Sequence, residues 1–356
     1  MYIIGIGTAT PEQRYSQNDC FKALAASELF NGLSSHSQSL LKKVLNGSNG
    51  IKTRYLALNP LEEFIKFNPD ALYARFLQNA PALATYAARK ALTNANINAV
   101  DIDAIVISTC TGYLCPGLSS YVVEQLPLKP GIIALDLVGQ GCVAALPNLQ
   151  MAEALLALNK RCRTALSICV EVCSAAFYLD DDPGVLISAC LFGDGAAAII
   201  LRNEPQPGKR SIEWKGSTSL LDPARRDLLR FEQHNGMLRN ILAAPVPQLA
   251  AQLAHEVLNR ALAEEHLQQQ DICTWVWHTG GRDVLNALGE CMSLDEKDLH
   301  WSREILSECG NMSSPSVLFV LERALNNNAP DGWWWMSSFG AGFSSNGALL
   351  RVGDQA

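Results

Sequence analysis

The sequence predicts an α/β fold with mixed sheets, assembled from a duplicated unit. Three observations lead there. Short apolar runs alternate with longer segments of helical periodicity along the whole chain. Three landmarks of the first half recur in the same order in the second, two of them at nearly one offset. The chain is also long and apolar enough for a large core, with 356 residues, 48% hydrophobic and 18% charged, which rules out disorder.

The elements follow in order. The opening MYIIGIGTATPE has no basic n-region and no small-residue cleavage site, so residues 2–6 read as a first strand and not as a leader peptide. Residues 81–97 are Ala- and Leu-rich with an amphipathic period, hence a helix. Residues 104–108 (AIVIS) form a continuous apolar run, the pattern of a buried strand, and 132–137 another. Residues 143–158 are helical, with Pro147 tolerated near the first turn. Two more strands, 164–170 and 196–201, follow.

The repeat is visible in three places. Asp101-Ile102 opens one apolar strand and Asp271-Ile272 another, an offset of 271 − 101 = 170. Gly141-Cys142 precedes one helix and Gly310-Asn311 the other, at 311 − 142 = 169, with Glu153 matching Glu322 and Leu156 matching Leu325. Phe192-Gly193-Asp194-Gly195 is echoed by Phe339-Gly340-Ala341-Gly342. The charged, poorly periodic stretch 205–235 separates the halves, giving units 1–210 and 211–356.

Charge and composition narrow the function. Lys plus Arg is 28 and Asp plus Glu 35, so net charge is 28 − 35 = −7, and no basic block offers a nucleic-acid surface. An anionic substrate would need a local basic patch. No apolar run approaches the roughly 20 residues of a membrane helix. Eleven cysteines, an odd number at irregular spacing, predict free thiols in a reducing cytoplasm. There is no CxxC pair, so a structural zinc site is not expected.

Cys142 is the favoured nucleophile, because Gly139-Gln140-Gly141 sets up a tight turn and the following helix N-terminus favours a thiolate. His278 ends the apolar strand TWVWH and opens a Gly-rich turn, where α/β proteins place functional side chains. Asn311 holds the place of Cys142 in the second half. The bland readings are a core cysteine, a structural histidine and a helix N-cap asparagine. Neither Gly5-Ile6-Gly7 nor Phe192-Gly193-Asp194-Gly195 has the spacing of a dinucleotide or phosphate loop. Trp333-Trp334-Trp335 reads as the start of a buried strand.

At these motifs the sequence resembles the thiolase superfamily, and within it the type III polyketide synthases, the chalcone synthase-like family. The matching stretches are GIGTATP (5–11), TGYLCPG (111–117), GQGC (139–142), CVEVCSAAF (169–177), LFGDGAAA (191–198), WVWHTGG (275–281), GNMSS (310–314) and FGAG (339–342). The wording is most similar to bacterial members, including 3,5-dihydroxyphenylacetyl-CoA synthases and resorcinol- or pyrone-forming enzymes. The resemblance implies a five-layered αβαβα sandwich of two duplicated halves, a cytoplasmic homodimer, and a triad of Cys142, His278 and Asn311. It implies no metal and no resident cofactor, with coenzyme A arriving as the handle of malonyl-CoA and of a starter that is an acyl-CoA or is itself derived from malonyl-CoA. Iterative decarboxylative condensation on Cys142, with an imidazolium of His278 keeping the thiol ionised, would end in cyclisation to an aromatic or pyrone product.

The same resemblance marks Phe192 as a gatekeeper, and Cys110, Thr111, Cys173, Ser188 and Ser313 as cavity lining. Cys115 falls where the family reaches into the partner's cavity. Lys42, Lys43, Gly281 and Arg282 fall near the coenzyme A phosphates; a solvated helix face and an Arg282–Asp283 ion pair are the competing readings. The family's second gatekeeper Phe is expected after HNGMLR (234–239), where this chain has none. Its closing loop has Ala341 where a Pro is usual, and Arg282 also replaces a Pro. Three alternatives stand beside this reading. A ketoacyl-ACP synthase III-like enzyme shares fold and triad but usually shows His-x-Ala-Asn. A papain-like protease has the same residue order in a different Cys context. The third is a scaffold without activity.

Overall fold

The computed structural model describes residues 1–47 and 49–353. The first half contains β1 (Tyr2–Ala9), β2 (Arg14–Ser16), α1 (Gln17–Ala25), α2 (Glu28–Asn31), α3 (Ser35–Asn46), β3 (Thr53–Tyr55), α4 (Pro69–Ala95), β4 (Ala104–Ser108), α5 (Leu118–Gln125), β5 (Ile133–Leu137), α6 (Ala145–Leu158), β6 (Thr164–Glu171), α7 (Pro183–Leu191) and β7 (Gly195–Arg202). The second contains β8 (Ser211–Leu221), β9 (Leu229–His234), β10 (Met237–Leu242), α8 (Val246–Glu264), β11 (Ile272–Trp277), α9 (Arg282–Met292), α10 (Glu296–Cys309), α11 (Ser316–Asn326), β12 (Gly332–Gly340) and β13 (Ser344–Gly353).

Nine strands run in the order β11-β12-β13-β8-β1-β7-β6-β4-β5. The order contains one pattern twice. β4 lies parallel to β6, which is antiparallel to β7, which is antiparallel to β1. In the same sense β11 lies parallel to β12, which is antiparallel to β13, which is antiparallel to β8. The two sets meet edge to edge at a single pair, Tyr2 with Glu213, beside a bond from Trp214 N to Met1 O.

The layers follow from which helix faces are apolar. α6 and α11 are buried between the two sheets, where Leu146, Leu149, Leu318 and Leu321 share one core with β1, β6, β7, β12 and β13. A helix enclosed on both sides must be apolar on both, and ALPNLQMAEALLAL is. α4 and α5 cover the outer face of the first sheet, and α8 and α9 that of the second. The result is the five-layered αβαβα sandwich. α1, α3 and α7 enclose a fourth, separate apolar cluster around Leu41, Leu56, Phe64 and Leu186.

Two local features depart from the sequence reading or explain it. α4 starts at Pro69, not at 81, because Asn68 caps it by accepting from Ala71 N and Pro69 fits the first turn. Pro81 then lies inside a helix that packing holds together. Gly7 is required by the approach of β1 to α4: a Cβ there would lie 2.4 Å from Ala91 N and 2.5 Å from Ala87 O. Trp334 and Trp335 are fully buried on β12, as the apolar run predicts.

Candidate active site

Cys142 lies in a single 3₁₀ turn, Gly141–Val143, between β5 and α6. The turn needs its glycines: Gly139 has φ +80° and Gly141 φ +59°, conformations costly for other residues. The 339–342 loop closes against it from the second half. A Cβ on Gly340 would come within 2.8 Å of Val143 N and 3.1 Å of Cys142 N, and Ser338 Oγ donates to Val143 O at 3.2 Å.

His278 follows β11 directly. Its N–H donates to Ser337 O at 2.9 Å, and its ring stands edge-on to Phe339, centroids 5.1 Å apart. Phe339 immediately precedes Gly340, so the residue that packs on the imidazole is chain-linked to the one that backs the thiol. Nδ1 is buried without a hydrogen-bond partner. Asn311 is not a helix cap, since α11 begins at Ser316. Its Oδ1 accepts from Ser313 N at 2.8 Å, and its Nδ2 donates to Gly280 O, 3.4 Å away, in the loop after His278. Its backbone bridges to Phe192.

Ser313 connects these pieces. It adopts φ +60°, an uncommon left-handed conformation for a non-glycine residue. Its hydroxyl donates to Cys142 Sγ at 3.2 Å and lies 3.4 Å from Cys110 Sγ. The continuous path is thus Cys142 to Ser313, Ser313 to Asn311, and Asn311 to the loop that begins with His278.

Glu171, at the end of β6, was not singled out by the sequence reading and proves central. Its fully buried carboxyl accepts from Cys110 N at 2.9 Å, Thr111 Oγ1 at 2.9 Å, Thr109 Oγ1 at 3.1 Å and Ser314 Oγ at 2.6 Å, with Ser313 Oγ at 3.4 Å. An acid inside the apolar strand TALSICVE was the available signal, since a buried carboxylate is retained only with partners. Burial pushes its pKa up, and the hydrogen bonds oppose the rise.

Burial also dominates the nucleophile and the imidazole. The Cys142 thiol is pushed up to about 12 by desolvation, against the hydrogen bond from Ser313. His278 is pushed down to about 3 by desolvation alone. Burial thus opposes the expected resident ion pair of thiolate and imidazolium from both sides, since desolvation disfavours either charge.

One cavity, about 1190 Å³ of atom-free space that is partly open to solvent, has Cys142 in its wall together with Cys110, Thr111, Cys173, Ser188, Phe192 and Ser313. Ser188 Oγ is buried there without a partner. The wall opposite comes from the β9–β10 hairpin and includes Phe231 and Asn240. The aromatic group on that hairpin thus precedes HNGMLR, and Arg239 is instead tied to Asp180 at 2.7 Å and Glu232 at 2.9 Å. Cys115 is exposed and outside this wall. Lys42 and Lys43 are exposed on α3. Gly281, at φ +139°, starts α9, and Arg282 pairs with Asp283 at 2.9 Å while packing against the Gly50 turn beyond α3.

Known proteins are similar to this chain in sequence and fold. Residues 4–214 match the model of the FAE1/type III polyketide synthase-like proteins, and 232–352 that of the C-terminal domain of chalcone and stilbene synthases. The chain is 32% identical over 355 residues to 1,3,6,8-tetrahydroxynaphthalene synthase of Streptomyces peucetius subsp. caesius, covering 98% of this chain and 92% of that one. It is 27% identical to 3,5-dihydroxyphenylacetyl-CoA synthase of Streptomyces toyocaensis, over 98% and 89% of the two chains. The crystal structure of PKS-I from the brown alga Ectocarpus siliculosus superposes with a TM-score of 0.88 at 25% identity, covering 98% and 97%.

Proposed function

The chain belongs to the type III polyketide synthase family, and from that premise we propose that it extends an acyl-CoA starter with malonyl-CoA by repeated decarboxylative condensation on Cys142. The observation that carries the assignment is the contact path from Cys142 Sγ through Ser313, both in the cavity wall, to Asn311 and the His278 loop, which lie behind that wall and not in its lining.

The chemistry follows from neutral partners. During loading the Cys142 sulfur attacks the starter's thioester carbonyl. Its proton passes to the departing coenzyme A sulfur, with the His278 ring as relay. No partner fixes Nδ1, so the ring is not locked to one tautomer and serves both as acceptor here and as donor in the next step. Malonyl-CoA then places its thioester oxygen toward an N–H of His278 and the N–H of Asn311 Nδ2 not used on Gly280. Loss of CO2 leaves the electron pair on the enolate, which these donors stabilise by about 3–4 kcal/mol per donor in comparable oxyanion sites. The enolate carbon attacks the acyl–Cys142 thioester and expels the Cys142 thiolate, which takes the lengthened chain back from coenzyme A. Decarboxylation itself makes the carbanion, so the cycle calls for no metal and no resident cofactor. A ketoacyl-ACP synthase-like single condensation is not favoured.

The remaining assignments belong to the same proposal. Units 1–210 and 211–356 supply the thiol and the His/Asn pair respectively. Lys42, Lys43, Gly281 and Arg282 border the coenzyme A phosphates. A homodimer forms along the edge strand β5, near exposed Tyr113 and Val138, and brings Cys115 to the partner. Eleven free cysteines fit a reducing cytoplasm. The test is kinetic. Cys142→Ala should abolish acyl-enzyme formation, His278→Gln should slow it by removing the proton relay, and Asn311→Ala should load normally, while both latter variants should release CO2 from malonyl-CoA at least ~100-fold more slowly. Unimpaired CO2 release by both latter variants would refute the roles.

A further inference from the structure

A helix leaves its last carbonyls without partners of its own. In α7 these are the carbonyls of residues 189–192, since Phe192 N closes the final turn on Ser188 O at 3.3 Å. All four are met from outside the helix. Arg54 Nη1, on β3, donates to Ala189 O and Phe192 O at 2.8 Å each. Gln17 Nε2, at the start of α1, donates to Cys190 O at 2.9 Å. Leu191 O accepts from the backbone N–H of Asn311 at 3.0 Å, and Asn311 O accepts in turn from Gly193 N at 2.9 Å. The stretch that seats Asn311 is thus fixed by Arg54 and Gln17 on both sides of Leu191.

We infer that Arg54 and Gln17 are positioning residues for Asn311. By capping α7 they set where its side-chain amide stands when the enolate forms. The inference rests on the synthase reading above and adds to it two residues that act through another.

The pair is built as one unit. Arg54 and Gln17 are each 5% exposed, and Gln17 Oε1 accepts from Arg54 Nε at 3.0 Å, so each side chain holds the other. A buried guanidinium needs compensation, and the negative end of the α7 dipole supplies it. The Arg54 stem also lies against the residue before Asn311: a Cβ on Gly310 would come within 3.0 Å of Arg54 Cγ and 2.7 Å of Leu191 O. A shift of Arg54 or of the 189–192 carbonyls therefore carries the Asn311 backbone with it.

The test is a double-mutant cycle read on CO2 release from malonyl-CoA, normalised to folded protein by near-UV circular dichroism. Arg54→Met keeps the stem and removes the donors. It should lower the rate by ~10-fold or more in the wild-type background, since misplacing a reacting group by about 1 Å costs up to ~100-fold. In the Asn311→Ala background the same substitution should change the rate by less than about twofold, because the group it positions is gone. Gln17→Leu, which frees Cys190 O alone, is the gentler variant should Arg54→Met not fold; it should cost at least ~4-fold in the first background and nothing in the second. Unchanged CO2 release by a folded variant overturns the inference. So does an equal loss in both backgrounds, the mark of a general loosening, and either result leaves the synthase reading intact. Unimpaired CO2 release by Asn311→Ala alone overturns the role of Asn311 itself, and the inference falls with it.

Discussion

Acid should weaken this protein through His278, by an amount that its burial sets. The folded ring is held near 3 by desolvation, whereas the ring of the unfolded chain titrates near 6.5. Above 6.5 both states are neutral and the histidine has no pH-linked effect. As pH falls below 6.5 the unfolded chain takes up a proton that the folded one refuses, so stability drops until about pH 3, where the folded ring also titrates. At ~1.36 kcal/mol per pH unit, the loss between pH 7 and pH 5 is about 2 kcal/mol, approaching ~5 kcal/mol near pH 3. His278→Gln removes this titration and keeps a polar side chain of similar reach. Urea unfolding of wild type and variant at pH 7 and pH 5 isolates the effect, because groups unchanged by the substitution cancel in the difference. The wild-type advantage over the variant should shrink by about 2 kcal/mol between the two pH values. An advantage that stays constant, or grows toward pH 5, would show that the folded ring carries a proton. The neutral-pair mechanism would then give way to a resident imidazolium.

Two further outcomes test neighbouring parts of the argument. Alkylation of Cys142 by iodoacetamide should be slow at pH 7 and climb steadily through pH 9, because burial pushes the thiol up to about 12; a rate plateau already reached below pH 7 would reveal a preformed thiolate. Gly7→Ala forces a methyl group against the backbone of α4, 2.4 Å from Ala91 N, where no flexible side chain can yield. It should cost ~3 kcal/mol and lower the melting temperature by about 4 °C, and a melt within about 1 °C of wild type would contradict that packing.

The alternation of apolar runs was legible because buried strands such as β4 and β6 are covered at every residue. The boundaries were less so. α4 extends back to Pro69 because an Asn cap and packing on β1 outweigh a weak apolar stripe in its first turns. Cys142 stood out from ten other cysteines because a Gly-x-Gly turn before a helix is a local signal that survives in one dimension. Glu171 did not stand out, although its position in an apolar strand was visible, because its partners Thr111 and Ser314 lie 60 and 143 residues away.

By itself, then, the amino-acid order determined the layered α/β class and the family motifs, since both rest on periodicity and on short-range turn chemistry. Tertiary structure alone decided the burial that moves the Cys142 thiol up and the His278 imidazole down, the carboxyl that organises their surroundings, and the cavity that Cys142 lines. Each of these depends on desolvation, and desolvation is produced by segments far apart in the chain closing around the same space.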